Sequence, residues 1–443
     1  MNIPLSDHFT YGKLLRFTLP SIVMMVFTSV YGVVDGIFVS NFAGKISFAA
    51  INLIFPYLMM FGTLGFMVGT GGTALISSTL GMGDHKKANE LFSLLTYVCI
   101  VGGVLLTALS MAFMRPVAIL LGAEGEMLED CVTYGMIVQL ALTAYILQYA
   151  FQSFCVTAEK SNLSLVMMVT AGVCNIVLDA LFVAVFRWGL VGAAWATTIA
   201  QIVGAMIPLV YFARPNSSLL RLGMCRFDGQ ALQRTFINGA SELMSNLSMS
   251  LMSMLYNVQL LAYAGENGLA AFGVLMYVNF LFLSVFIGFV IGTAPLIGFN
   301  YGADNRTELK NLFRKSIVIL GLMSVLMTLC AELLAVPMST VFAGYDPVLM
   351  EMTVWGFRIY SLSFLAAGFN IFGSSMFTAL SNGLVSAVIS FMRALVFQAA
   401  AVLVLPLIWG LDGIWFSNVA AELSALLVTG ICFVKFRKRY HYV

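Results

Sequence analysis

Apolar runs long enough to cross a bilayer, about 20 residues each, follow one another along this whole chain and leave no stretch for a separate water-soluble domain. In hydrocarbon every backbone amide and carbonyl must find its partner within the protein, so spanning runs of this length are helices. They fall at roughly 15–41, 48–80, 91–114, 130–157, 162–186 and 190–213, then at 236–262, 269–301, 312–336, 349–379, 383–407 and 411–434. The expected fold is therefore an all-α polytopic membrane protein with twelve transmembrane helices. Charged residues make up 9% of the chain, against about 25% in soluble domains. Lys13 and Arg16 precede a run too long for a signal core and without a small-residue cleavage site, so the first span is expected to be retained.

Sliding the sequence over itself by 221 residues brings like onto like. Gly71 falls on Gly292, Gly81 on Gly302, Pro116 on Pro337 and Gly135 on Gly356. Thr157-Ala158 falls on Thr378-Ala379, and Trp188-Gly189-Leu190 on Trp409-Gly410-Leu411. A unit of six spans starts and ends on one side of the membrane, so its two copies run in the same direction about an axis along the membrane normal. The chain divides into a first lobe at 1–213, a cytoplasmic linker at 214–230 and a second lobe at 231–443, with a cleft between the lobes.

Positive charge sets the orientation. With the amino terminus inside, the inner segments hold Lys86, Lys87, Lys160, Arg214, Arg221, Arg226 and the run Lys435 to Arg439, whereas the outer ones hold only Lys45, Arg115 and Arg187. Both termini are expected in the cytoplasm, with the chain multi-pass in a bacterial plasma membrane and acting as a monomer.

Carboxylates at membrane depth carry the functional reading, because an ionised group there costs at least ~2.5–3.5 kcal/mol and usually faces a cavity. Asp35 in the first span and Asp179 in the fifth lie about equally far from the outer ends of their spans. Thr197 and Thr198 of the sixth reach a similar depth, and Asn175 sits one turn from Asp179. Two desolvated carboxylates at one level cannot both stay ionised cheaply, so the pair would bind a proton or, with amide and hydroxyl oxygens supplied, a sodium ion. Glu242, flanked by Asn238 and Asn246 one turn either way, begins a polar stripe expected to line the cleft, in contact with cation or substrate. Pro20 removes a helical hydrogen bond and either bends the first span or starts it.

Other chemistries lack their residues. No GxxxxGK[ST] phosphate loop exists, and the three histidines (His8, His85, His441) lie in termini or a loop, leaving neither ATP hydrolysis nor an HExxH metal centre. The seven cysteines are scattered singly. No enzyme, cofactor or nucleic-acid partner is expected; the 27 methionines and 36 phenylalanines suit a cleft for varied lipophilic cations.

The segments DGIFVSNFAG (Asp35 to Gly44), GFMVGTGGTALISSTLGMGD (Gly65 to Asp84), its counterpart GFVIGTAPLIGFNYGAD (Gly288 to Asp304) and NIVLDALFV (Asn175 to Val183) resemble the multidrug and toxic compound extrusion (MATE) family, on its bacterial MepA-like branch. The resemblance covers essentially the whole chain. It implies cation-coupled export of drugs, with a first-lobe cation site matched here by Asp35, Asn175, Asp179 and Thr197 or Thr198. It also implies an amide from the fourth helix, for which Gln152 stands, and a bending proline, matched by Pro20. Some members use acidic residues in the seventh and tenth helices; Glu242 answers for the first, but Asn370 replaces an aspartate at the second and is expected to line the substrate cleft with Glu242, Asn238 and Asn246.

The reading is an H+- or Na+-coupled antiporter that exports lipophilic, often cationic drugs by alternating access, a route to antibiotic resistance. The alternative is a flippase for a lipid-linked saccharide, which would need a strongly cationic cleft; Arg358 and Arg393 are the basic residues on offer.

Overall fold

A computed structural model describes residues 3–42, 45–344 and 346–443; the side chains of residues 35–42, 45, 46, 48, 49, 266 and 341–343 lie outside the described residues, that of Asp35 among them. Helices α1 (Tyr11–Phe42), α2 (Lys45–Gly81) and α3 (His85–Leu120) make the first three crossings. The fourth is the pair α4 (Gly125–Gln139) and α5 (Leu142–Thr157), the fifth α6 (Ser161–Asp179) with its extension Ala180–Val185, the sixth α7 (Gly189–Ala213). In the second half α8 (Gly229–Gly302) supplies two crossings and α9 (Arg306–Ala343) the ninth. The tenth is α10 (Pro347–Ser361) with α11 (Phe364–Ala379), the eleventh α12 (Gly383–Phe391) continued through Met392–Val396 into α13 (Phe397–Trp409), the twelfth α14 (Leu411–Tyr440).

Two of these crossings are broken. The fourth bends by 56° and the tenth by 50°, where the amides of Leu140, Ala141, Leu362 and Ser363 reach back only three residues, a tighter turn than the α-helix allows. Among the described residues nine helices are long and apolar enough to span, eleven if each bent pair is one span. The remaining crossing is the first arm of α8, residues 229–264, whose apolar run is interrupted by Asn238, Glu242, Asn246 and Asn257. Its two arms part at Gly265, where φ 60° and ψ −150° suit only a residue without a Cβ.

The repeat is visible in the local structure. Asp84 caps α3 by accepting the Lys87 amide, and Asn305, 221 residues on, caps α9 by accepting the Glu308 amide. From α4 to the start of α6 the boundaries recur one residue later: 125, 139, 142, 157 and 161 become 347, 361, 364, 379 and 383.

The two lobes meet where glycine lets backbones touch. A Cβ on Gly81 would run into the Phe299 carbonyl, and one on Gly302 into the Ser78 carbonyl; one on Gly298 would strike Ser77 Oγ. Residues 77 and 298, like 81 and 302, are each other's counterparts at an offset of 221, so the pseudo-two-fold axis passes between α2 and α8 here. Flanking this, Gly71 abuts Thr235 and Gly239, while its counterpart Gly292 abuts Thr18; Gly239 abuts Met67, and Gly288 abuts Ser21 and Ile22. All these approaches lie in the half of the molecule that carries the termini and the basic loops.

The start of each half packs beneath the other. Leu5, Phe9, Leu14 and Phe17 are buried in the core of the second half, although the sequence division counts them with the first. Leu220 and Ala231 are buried in the core of the first. The amide of Leu5 donates to Glu159 Oε1 (2.6 Å) in the first lobe, and that of Phe9 to Glu308 Oε1 (2.9 Å) in the second. The segment before α1 thus ties both lobes together on the basic face. Residues 214–228 are also held down, with the Arg221 amide on Asn89 Oδ1 and the Gly223 amide on Ser93 Oγ.

Two outcomes follow from this packing. Glu308→Ala removes the acceptor for the Phe9 amide, the His8 ring and Asn311, contacts to a charged group worth about 1.5–3 kcal/mol each at most; faster tryptic cleavage at Lys13 is the readout, and unchanged cleavage counts against the tie. Gly302→Val should hold the lobes apart on the basic face. A thiol introduced by Ser78→Cys, at a position 6% exposed, should then react with a maleimide that it resists in the otherwise native chain.

Candidate functional site

α1 and α6 run side by side. Met24 of α1 receives the Ser164 hydroxyl of α6, and further along, Gly172 lies against Phe27 and Tyr31. Continuing both helices from that second contact, Asp35 is six residues beyond its midpoint and Asp179 seven beyond Gly172. At 1.5 Å per residue these are rises of about 9 and 10 Å, so the two positions stand at one height. α1 stays packed against the Ala180–Val185 extension that follows Asp179. The Asp35 side chain lies outside the described residues, so the height of its backbone is what the structure gives.

Asp179 is 0% exposed and Asn175, one turn earlier, 3%. Asn175 Nδ2 has no hydrogen-bond partner among the described residues, a costly state for a buried amide and one that a ligand or water would relieve. Directly after Asp179 the helix widens: the Phe186 amide bonds the carbonyl of Leu181, five residues back. Such wide turns recur where a helix carries function.

α7 runs antiparallel to α6, with Gly192 on Phe182 and Gly204 on Ala171. That register sets Thr197 opposite the turn from Asn175 to Asp179. The two threonines differ: Thr198 is 1% exposed and its hydroxyl is taken up by the Ala194 and Ile137 carbonyls, turning it towards α4, whereas Thr197 Oγ1 makes no hydrogen bond among the described residues. Thr197 is the hydroxyl left available at this height.

Gln152 lies elsewhere. Its amide contacts Met25 Sδ (3.5 Å) and its carbonyl accepts from Ser164, which puts it ten residues, about 15 Å, down α1 from Asp35. Gln148, one turn nearer and 4% exposed, reaches Met168 Sδ (3.2 Å) and adjoins Gly204. Those contacts set it at the height of Met168 to Ala171, one to two turns below Asn175. The sequence signal was present, an amide in an apolar span, but choosing between two glutamines one turn apart needs the register of α5 on α6.

In the second lobe only part of the expected polar stripe faces the cleft. Asn238 is 4% exposed, accepts the Gly383 amide (3.1 Å) on Oδ1 and the Thr378 hydroxyl on its carbonyl. It closes the N-terminus of α12, so the placement of Asn238 as a cleft residue is corrected. Asn370 is corrected too: it is 0% exposed and bonded to Glu422 and Thr429. Glu242 and Asn246 are half-buried. They continue the face that Gly239 presents to α2, where the lobes begin to part. Asn246 Nδ2 donates to the Glu242 carbonyl (2.8 Å), and the Glu242 carboxylate itself has no hydrogen bond among the described residues. Pro20 is the tenth residue of α1 and inside the helix, so of the two readings it is the interior proline, unable to donate a hydrogen bond.

Sequence reasoning left one cluster unassigned. Arg393 sits in the wide turn Met392–Val396 of the eleventh crossing, where the Phe397 amide bonds the Met392 carbonyl. Its Nε meets Glu422 Oε1 and Oε2 at 2.8 and 3.0 Å, and Nη2 meets Oε1 at 2.8 Å. Beside it, Tyr256 and Ser417 share a 2.6 Å hydroxyl bond, and Gln398 donates to Tyr256 and Asn418.

Known proteins match this architecture along its length. The MatE family model fits residues 20–181 and 243–403, one copy in each half. The multidrug export protein MepA of Staphylococcus aureus (strain MRSA252) is 24% identical over 425 residues, covering 94% of this chain and 93% of that protein. MepA of Staphylococcus saprophyticus is 24% identical over 427 residues, with the same coverage. Among solved structures, that of MATE in complex with MaL6 superimposes with a TM-score of 0.92 at 23% identity, covering 98% of this chain and 97% of the other. With two matched halves, twelve crossings and a TM-score of this size, the chain belongs to the MatE family of membrane transporters.

Proposed function

We propose that this protein is a cation-coupled antiporter that exports lipophilic, often cationic drugs, with Asp35, Asp179, Asn175 and Thr197 forming the site for the coupling proton or sodium ion. The observation that carries the reading is the common height of Asp35 and Asp179 on adjacent helices, with Asn175 Nδ2 buried at that level and unpartnered among the described residues. Gln148 forms the floor of this site, and Gln152 lies below it. Export of drugs is what the MepA relatives are named for, and the cleft face of Glu242 and Asn246 gives a lipophilic cation a carboxylate to approach.

The lobes touch on the basic face and no hydrogen bond joins them beyond that half among the described residues. By the distribution of positive charge the basic face is cytoplasmic, so this conformer opens outward, where a cation can enter the site. Occupation neutralises the acid pair and removes a cost that burial imposes on it. That favours the conformer in which the pocket is closed, and alternation between lobes carries drug one way and cation the other. Pro20, inside α1 and short of one hydrogen bond, lets that helix bend as the site fills. The flippase reading loses its basic residues: Arg393 is spent on Glu422, and Arg358 lies 3.9 Å from Glu332.

Asp179→Asn or Asp35→Asn should abolish gradient-driven ethidium efflux while the protein still reaches the membrane folded. Each unit charge moved across 100 mV supplies ~2.3 kcal/mol, roughly a 50-fold concentration ratio, so the accumulated drug gradient should fall by up to that factor. Everted vesicles given a pH gradient or a sodium gradient separately identify the ion, and efflux by the variants equal to that of the native chain sinks the proposal. For orientation, Met224 is 99% exposed in the segment before α8. Met224→Cys should be labelled by an impermeant maleimide in everted vesicles and not in right-side-out cells.

A further inference from the structure

The second lobe repeats the polar site of the first without its acids. At an offset of 221, Asp35 corresponds to Tyr256 and Thr197 to Asn418. At the offset of 222 that the α5 and α11 boundaries follow, Gln148 corresponds to Asn370. Asp179 falls on Ala400 at the first offset and on Ala401 at the second, an apolar residue either way. Tyr256, Asn418 and Asn370 all belong to buried hydrogen-bonded groups, so the location persists as a polar cluster. What the cluster contains instead is Glu422, at the counterpart of Gln201, with a carboxylate 7% exposed and Arg393 against it.

That carboxylate is fully engaged. Arg393 Nε bridges both oxygens, Nη2 lies 2.8 Å from Oε1 as an ion pair, and Asn370 Nδ2 donates to Oε2 at 2.7 Å. Thr429 in turn donates to Asn370 Oδ1 (2.9 Å), fixing which way the amide faces. A buried carboxylate must be matched by a positive charge or take up a proton. A guanidinium meets that need permanently, since it does not lose its proton in proteins and its planar fork fits a carboxylate in two places.

We propose that Arg393 is a tethered counter-cation: it fills, in the second lobe, the place that an exchangeable cation takes in the first, and so confines ion exchange to the first lobe. Glu422 holds Arg393 in position, and Asn370 and Thr429 orient Glu422. The proposal rests on the reading of the Asp35 and Asp179 level as the exchanging site.

Take the guanidinium away and Glu422 becomes a site that must draw its cation from water. Folding stability of the full chain, purified in detergent, is measured against sodium chloride with choline chloride as control, and against pH without sodium. On an Asp179→Asn background, Arg393→Met should gain a cation response that the background lacks. By linkage the folding equilibrium constant should rise by up to tenfold for each tenfold increase in sodium or in proton concentration. Arg393→Lys keeps a tethered charge and should gain no response, and adding Glu422→Gln to Arg393→Met should remove it. Absence of a gained response in folded Arg393→Met overturns the proposal. So does loss of the native chain's cation response in the neutral pair Arg393→Met with Glu422→Gln, a comparison that remains if Arg393→Met alone does not fold. An unchanged cation response in Asp179→Asn alone would instead overturn the first-lobe reading, so the two failures are distinct.

Discussion

The close approach of α2 and α8 is the constraint on which the rest of the architecture depends. Lipid tails are as apolar as leucine, so burying side chains gives no drive for two lobes to associate inside a bilayer; packing of backbone on backbone and short hydrogen bonds must do it. Ser77 against Gly298, Gly81 against Phe299 and Gly302 against Ser78 supply such contacts; the first joins two counterparts and the repeat exchanges the other two, so the contact straddles the pseudo-two-fold axis. Contacts placed on an axis can open and close without shearing either lobe, which suits a molecule whose halves exchange which face they seal. The crossed packing of the two segments that precede α1 and α8 adds a second tie on the same face, made of side chains and amides that water can satisfy when they part.

On that symmetric frame the polar chemistry is asymmetric. The first lobe buries Asp179 beside an amide without a partner among the described residues; the second buries a carboxylate with both oxygens bonded. Both lie next to a helical turn widened to a five-residue hydrogen bond, which rotates the following side chains relative to an ideal helix and aims polar groups inward where apolar ones would otherwise point. One frame thus holds an incomplete polar site in one half and a complete one in the other.

Much of this was legible in the residues. Length and polarity of the runs give the helices, and the recurrence of Pro, Trp and paired Gly gives the repeat. Gly81 and Gly302 are repeat partners in the sequence, and each turns out to meet the other lobe's backbone. Carboxylates at membrane depth drew attention to Asp179 and Glu242 because nothing in hydrocarbon tolerates them cheaply. The α4 and α5 bend shows where such reading ends: three-residue turns with no proline or glycine at the break turn the crossing by 56°, and no local signal announces them.

The sequence by itself determined the number of crossings, the two-fold repeat and which spans carry charge, because each depends only on composition along a single helix. Tertiary structure alone decided that Gln148 stands nearer the height of Asn175 than Gln152 does, that Thr198 is taken by α4 while Thr197 is left, that Asn238 and Asn370 turn into the second lobe, and that Arg393 meets Glu422 across 29 positions of chain. The physical reason is that a residue's function here depends on its height and rotation relative to helices distant in sequence, and those are set by bends, wide turns and glycine contacts that belong to pairs of helices rather than to any one of them.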